Sequence, residues 1–178
     1  MTRLPFLFLA ILALLAGIWA GWLRIGWAWP NPQALLPAAH GPLMVSAFLG
    51  TVISLERAVA LRRRAAYLPP LLAGLGGLAL ITGLPWTLAA WLLLAAAVGL
   101  AVVFAVIVRQ HPAVYTVTMA VGAGAWLVGN GLLAAGRPVY AAVPWWVAFL
   151  VLTIAGERLE LSRVLRLSPR VINLFILS

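Results

Sequence analysis

Residues 86–108 read WTLAAWLLLAAAVGLAVVFAVIV, a run with no charged side chain and no proline. A transmembrane helix needs about 20 consecutive apolar residues to cross roughly 30 Å of hydrocarbon. This run is long enough, and similar apolar stretches recur along the rest of the chain. The sequence therefore predicts an all-α, polytopic membrane protein built as a bundle of transmembrane helices.

The composition excludes an ordinary soluble domain. Hydrophobic residues make up 65% of the 178 residues and charged residues only 8%, whereas soluble domains are about 45–50% apolar and about 25% charged. The net charge of +9 comes from arginine, but no hydrophilic region is left to hold nucleic acid. The arginines are therefore interpreted as topology signals at helix ends. Cysteine is absent, which excludes disulfides and thiolate metal sites.

The apolar stretches predict one transmembrane domain over residues 1–178. Pro30 and Pro32 end the first span, which is too long for the apolar region of a signal peptide and is expected to be uncleaved. The predicted spans are about 4–29, 40–61, 67–85, 86–108, 112–135 and 144–163, and an apolar run at 171–178 predicts the start of a seventh.

Arginine is distributed unevenly between the two predicted membrane faces. A cytoplasmic N-terminus places only Arg24 and Arg137 near the outer ends, in line with the positive-inside rule. The chain is therefore predicted to lie in a bacterial inner membrane with its N-terminus in the cytoplasm. The inner arginines are Arg3, Arg62, Arg63, Arg64, Arg109, Arg163, Arg166 and Arg170; a predicted outer aromatic belt holds Trp22, Trp27, Trp29, Trp86, Trp91, Trp145 and Trp146.

An internal repeat relates the second and sixth predicted spans. Residues 51–57 read TVISLER and residues 152–158 read LTIAGER, and their Ile, Glu and Arg, with the later Arg62 and Arg163, align at an offset of 101 residues. Both helices run in the same direction, which indicates a parallel repeat of four spans. The repeat requires two further spans, so a truncated form, a fragment or a protein completed by a partner is expected. A homo-oligomer or other membrane subunits would cover the incomplete repeat.

The three acidic residues, Glu56, Glu157 and Glu160, lie within predicted spans or at their inner ends. Charges in hydrocarbon are costly and usually have a partner. Because adjacent residues on a helix do not face each other, we expect cross-helix pairs, Glu56 with Arg158 or Glu157 with Arg57. Such a buried ion-pair layer would either clasp the two helices or form a polar site, such as a proton relay or an arginine site for an anion.

Two histidines stand at helix starts on opposite predicted faces. His40 begins the second span at the outer face and has Met44 one turn below it, a pair able to ligate haem or copper. His111 begins the fifth span at the inner face, in the layer of the glutamates, where a proton-transfer role is open. A polar helix cap is the alternative for each, and the topology prevents the two from ligating one haem together.

The segment HGPLMV at 40–45, followed by Gly50 and Glu56-Arg57, and the segment AGERLELSR at 155–163 resemble bacterial polytopic membrane proteins of the NnrS-like type. The resemblance covers mainly the second, fifth and sixth spans. It implies an inner-membrane protein associated with haem and copper and with nitric-oxide stress. His40, Met44 and His111 would then bind the cofactor, with His40 and His111 as metal ligands.

Three classes of function stay open. A haem- or copper-binding membrane protein would show a visible absorption spectrum or bound metal. A transporter or channel-like unit would carry flux in liposomes, and a structural subunit of a larger complex would show neither property. An enzyme is the least supported class, because the sequence contains no nucleophile–base set and no metal-ligand cluster, and no catalytic residue is assigned.

Overall fold

The structure, a computed structural model, describes residues 3–164, with side chains for residues 3–162. Within them it contains six long helices and no β-strand, which confirms the all-α prediction, and each helix is long and apolar enough to cross a membrane. The predicted partial span at 171–178 lies outside the described residues, as do Arg166 and Arg170. The helices are α1 (Leu4–Arg24), α2 (Pro42–Leu61), α3 (Arg64–Ile81), α4 (Trp86–Gln110), α5 (Val114–Ala134) and α6 (Val139–Val164).

The first helix ends earlier than the predicted span. α1 stops at Arg24, and Gly26 takes a φ of +92°, a conformation that glycine adopts without steric cost. The chain then turns back, and the Trp29 ring lies edge-on to Trp19 and Trp22, with ring centroids 4.6 and 4.7 Å apart. This segment therefore caps the end of α1 with packed aromatic rings and does not continue the helix.

The sixth helix begins earlier than predicted. α6 starts at Val139 and contains Pro144, which the sequence had placed at the helix start. A proline inside a helix removes the hydrogen bond to the carbonyl four residues before it. That carbonyl belongs to Tyr140, an exposed residue of the first turn, so the helix tolerates the proline there.

α2 occupies the centre of the bundle. It is the most buried of the six helices and packs along α1, α3 and α4, while large side chains of α5 and α6 reach it from the other side. The helices from α3 to α6 pack as successive neighbours. The bundle has an arginine-rich end, which carries Arg3, Arg62–Arg64 and Arg109, and a tryptophan-rich end, which carries Trp22 and Trp86.

Glycines let the helices approach closely, as small residues do in lipid-embedded bundles. A methyl group on Gly77 of α3 would lie only 2.6 Å from the Ala47 side chain of α2. Three glycines of α2 and α5 have the same effect. A methyl group would meet a large side chain or the backbone of a neighbouring helix at Gly50, Gly122 and Gly129.

The predicted tryptophan belt is only partly a surface feature. Trp91 and Trp145 are exposed, but Trp146 is 2% exposed and packs against Gly129 of α5 and Gly41 at the start of α2. The anchoring role predicted for Trp146 is wrong, because glycines on two neighbouring helices leave room for its indole inside the bundle.

Candidate functional site

Arg57 is the buried centre of a charged cluster near the arginine-rich end. Its side chain is 9% exposed, and Nη2 lies 2.6 Å from Glu56 Oε1 and 3.3 Å from Glu157 Oε1. Nη1 lies 3.7 Å from Glu160 Oε2. Glu157 and Glu160 are three residues apart on α6, so both can face the same cation. One guanidinium therefore contacts all three carboxylates. Its Nε is buried and has no hydrogen-bond partner among the described residues.

The structure brings together one of the two expected cross-helix pairs. Arg57 and Glu157 are in contact, whereas Arg158 is exposed and forms no salt bridge with a described residue. The expectation that adjacent Glu56 and Arg57 would not meet is wrong, because both side chains are long enough to converge beyond the helix surface. The layer is also less buried than expected: the side chains of Glu56, Glu157 and Glu160 are 55%, 35% and 46% exposed.

A cleft of about 240 Å³ opens beside the cluster, between α2, α4, α5 and α6. Arg57 and Glu160 line it together with Gln110, His111 and Thr116. His111 is exposed just after α4, and its carbonyl oxygen lies 2.9 Å from the Thr116 hydroxyl, which ties down the turn into α5. The structure therefore places His111 at the same site as the charged cluster.

One face of α2 carries polar and small residues from the cluster toward the middle of the bundle. Ser46, Gly50, Ser54 and Arg57 are spaced by four, four and three residues, so they lie along one side of the helix. We call these four residues the polar face of α2. Ser54 Oγ is buried without a hydrogen-bond partner among the described residues, and so is Thr153 Oγ1, one turn before Glu157 on α6. Unsatisfied buried hydroxyls therefore lie inward of the charged cluster.

Trp126 of α5 covers the polar face of α2 at Gly50. Its indole is fully buried, a methyl group on Gly50 would overlap the ring, and the ring stacks on Phe149 with centroids 5.1 Å apart. The indole Nε1 donates a hydrogen bond to Ser46 Oγ at 3.2 Å. The Ser46 hydroxyl in turn donates to Asn130 Oδ1 at 2.7 Å. The Trp126 indole therefore lies between the unsatisfied Ser54 hydroxyl and a second polar network, formed by Ser46 and Asn130.

Sequence reasoning missed this second network. Asn130 is the one asparagine within the six full predicted spans, and a buried amide in an apolar helix needs hydrogen-bond partners. That signal could have identified Asn130. Nothing in the sequence distinguishes Trp126 from the tryptophans near helix ends except its position in the middle of a span.

The side chains of His40 and Met44 pack against α1. His40 Nδ1 lies 2.8 Å from the Gly17 carbonyl oxygen. A methyl group on Gly21 would lie 3.0 Å from the same nitrogen, and one on Gly17 would lie 2.7 Å from Met44 Sδ. α1 therefore fills the space in front of both side chains and leaves none for a haem ring on that side.

The described residues give no support for the predicted haem or copper site elsewhere. His111 stands at the arginine-rich end, near the end of α2, and His40 directly precedes the start of α2 at the other end of the bundle, so the two candidate ligands are not brought together. Within residues 3–164, no three His, Cys, Asp or Glu side chains gather so that they could hold a metal ion.

The model of a domain of unknown function, DUF8744, matches residues 3–178 of the chain. No curated protein and no solved structure matches the chain. The resemblance to NnrS-like proteins therefore stays a prediction, and a functional proposal depends on the arrangement around Arg57.

Proposed function

We propose that this chain, which belongs to the DUF8744 family, is a membrane transport protein that transfers protons through the Arg57 cluster. The observation that carries the proposal is the ratio of three carboxylates to one guanidinium. A pair that only fixes helix register needs one carboxylate for its arginine. Two additional carboxylates give the fully ionised cluster a net negative charge, which attracts cations.

The surroundings of the cluster supply a route. The cleft reaches Arg57 and Glu160 from the arginine-rich end, and the polar face of α2 continues from Arg57 toward Ser46. Trp126 covers that face at Gly50, so its indole lies between the cleft and the tryptophan-rich end. Ionisable residues inside membrane spans commonly belong to ion or proton pathways, which further supports the proposal.

The proposal includes an orientation. The arginine-rich end faces the cytoplasm of a bacterial inner membrane, because arginine is enriched in cytoplasmic loops. The tryptophan-rich end then faces outward, and the substrate enters the cleft from the cytoplasm.

The orientation can be tested with single cysteines, because the chain has none of its own. Leu35 and Arg109 are exposed near opposite ends of the bundle. In intact spheroplasts, a membrane-impermeant maleimide should label L35C and should label R109C only after the membrane is permeabilised. Labelling of R109C in intact spheroplasts would reverse the orientation.

Transport can be tested in liposomes that contain the purified protein. We expect protein-dependent proton entry, followed with a pH-sensitive dye under a potassium-diffusion potential. Glu157→Gln should slow the proton flux at least about fivefold, because it removes one of the three carboxylates that attract protons, and one such charge contributes roughly 1–4 kcal/mol between water-like and partly buried surroundings.

Arg158→Gln is the matched control, since Arg158 is the exposed neighbour of Glu157 and lies outside the cluster. Its flux should equal that of the wild type. Proton flux in wild-type vesicles no greater than in protein-free vesicles would overturn the transport proposal.

A further inference from the structure

We propose that a second site, the cleft lined by Arg3, Arg62 and Arg64, binds the phosphate of an anionic phospholipid headgroup. The cleft has a volume of about 740 Å³ and lies between the start of α1, the end of α2 and the start of α3. It is separate from the Arg57 cluster, and its ligand carries the opposite charge to the proposed transport substrate.

The lining of this cleft is cationic without compensation. Its other lining residues are Val59, Ala60 and Tyr67, so no carboxylate of a described residue lines it. None of the three arginines forms a salt bridge with a residue in the described range 3–164. Arginine guanidiniums bind phosphate oxygens through paired N–H donors, so an anion with several oxygens fits this lining.

The backbone between α2 and α3 divides the arginine run between two surfaces. Arg62 caps α2 in the left-handed conformation, with φ 54° and ψ 25°, and Arg63 is extended. Glycine is the usual residue in the left-handed position at a helix end, because a side chain there is sterically unfavourable. As a result, Arg62 and Arg64 line the cleft, while Arg63 lines an apolar groove that reaches Gly99 of α4.

The level of the cleft favours a lipid over a soluble phosphate. It lies at the ends of three helices that are long and apolar enough to span a membrane, where headgroups meet hydrocarbon. Leu4 directly follows the lining residue Arg3, and Leu68 directly follows the lining residue Tyr67. These two leucines are 73% and 55% exposed. They can contact acyl chains while the arginines hold the headgroup. Basic pockets between helices at the cytoplasmic face are known to bind anionic headgroups.

Native mass spectrometry of the full-length protein in mild detergent tests the site, with phosphatidylglycerol and phosphatidylcholine as probes. The wild type should retain phosphatidylglycerol in preference to phosphatidylcholine. The double variant Arg62→Gln/Arg64→Gln should bind phosphatidylglycerol about 25-fold more weakly, since each basic residue near the membrane surface contributes about a fivefold gain in affinity.

Arg63→Gln/Arg109→Gln is the matched control, because it removes the same charge from the same end of the bundle but not from this cleft. It should retain the wild-type preference. An equal loss in both double variants would reduce the effect to general surface charge and overturn the proposal. So would equal retention of phosphatidylcholine, or displacement of phosphatidylglycerol by millimolar inorganic phosphate, which would assign the cleft to a soluble anion.

A folding defect can be separated from loss of the site. Arg62→Lys/Arg64→Lys keeps both charges and should recover most of the lipid binding. Size-exclusion and circular dichroism profiles should match the wild type for every variant. A double Lys variant that folds but binds no more lipid than the Gln variant would argue against phosphate contact by these two side chains.

Discussion

Replacing Arg57 by glutamine should destabilise the protein more than any other single charge removal among the described residues. The change leaves Glu56, Glu157 and Glu160 facing one another without their cation. Removal of one partner from a buried pair commonly costs about 3–5 kcal/mol. We expect the lower end of this range, because the three carboxylates are about one-third to one-half exposed and water screens part of their repulsion.

The measurement is the free energy of unfolding in detergent micelles, by denaturant titration followed through helical circular dichroism. Arg158→Gln removes the same charge from an exposed position that forms no salt bridge with a described residue, and it should change stability by less than about 0.5 kcal/mol. Arg57→Gln/Glu157→Gln should recover part of the loss, since it also removes one of the stranded carboxylates. Equal effects of Arg57→Gln and Arg158→Gln would mean that the cluster does not hold α2 and α6 together.

Gly50→Ala is the second change for which we expect a large effect. The added methyl group would overlap the Trp126 indole. The ring cannot easily move, because it stacks on Phe149 and is hydrogen-bonded to Ser46. Overpacking of a well-packed interior commonly costs about 1–3 kcal/mol, and here the strain would fall on the contact between α2 and α5.

Gly124→Ala is the control for this prediction. Gly124 lies within α5, and a methyl group there would meet nothing within 4 Å. Replacement of a helical glycine at an open position should leave stability unchanged or increase it by up to about 1 kcal/mol. The melting temperatures in detergent of the two variants should therefore move apart. A Gly50→Ala variant as stable as Gly124→Ala would show that the indole yields and that Trp126 does not wall off the polar face of α2.

The sequence was sufficient to predict the helices but not their partners. The run at 86–108 predicts α4 because burial in lipid constrains length and polarity together, and the structure places that helix at Trp86–Gln110. The C-terminal boundary of α1 was harder to predict from the sequence. The span was extended to residue 29 by its apolar rings, whereas Gly26 reverses the chain and lets Trp29 pack on Trp19.

The charged cluster, too, was only partly predictable from the sequence. The repeat placed Glu56-Arg57 and Glu157-Arg158 at equal depth, which is enough to expect contact between α2 and α6. It could not show that the two helices contribute unequally, because periodicity does not fix the rotation of a helix about its own axis. In the structure that rotation turns Arg57 inward and Arg158 outward. Pattern alone therefore predicts a symmetric clasp where the protein has a one-sided cluster.

The contact between Glu56 and Arg57 also has a consequence for biosynthesis. The partner on α6, Glu157, is separated from Arg57 by 100 residues, so α2 leaves the ribosome well before α6 is made. An arginine entering the bilayer by itself is costly for the insertion machinery. Since Glu56 is made in the same helix and lies 2.6 Å from Arg57 in the folded protein, α2 can be delivered to the membrane as an electrically neutral segment. Glu56 is then the counter-ion of Arg57 before α6 is made, and it stays in contact with Arg57 after α6 has inserted.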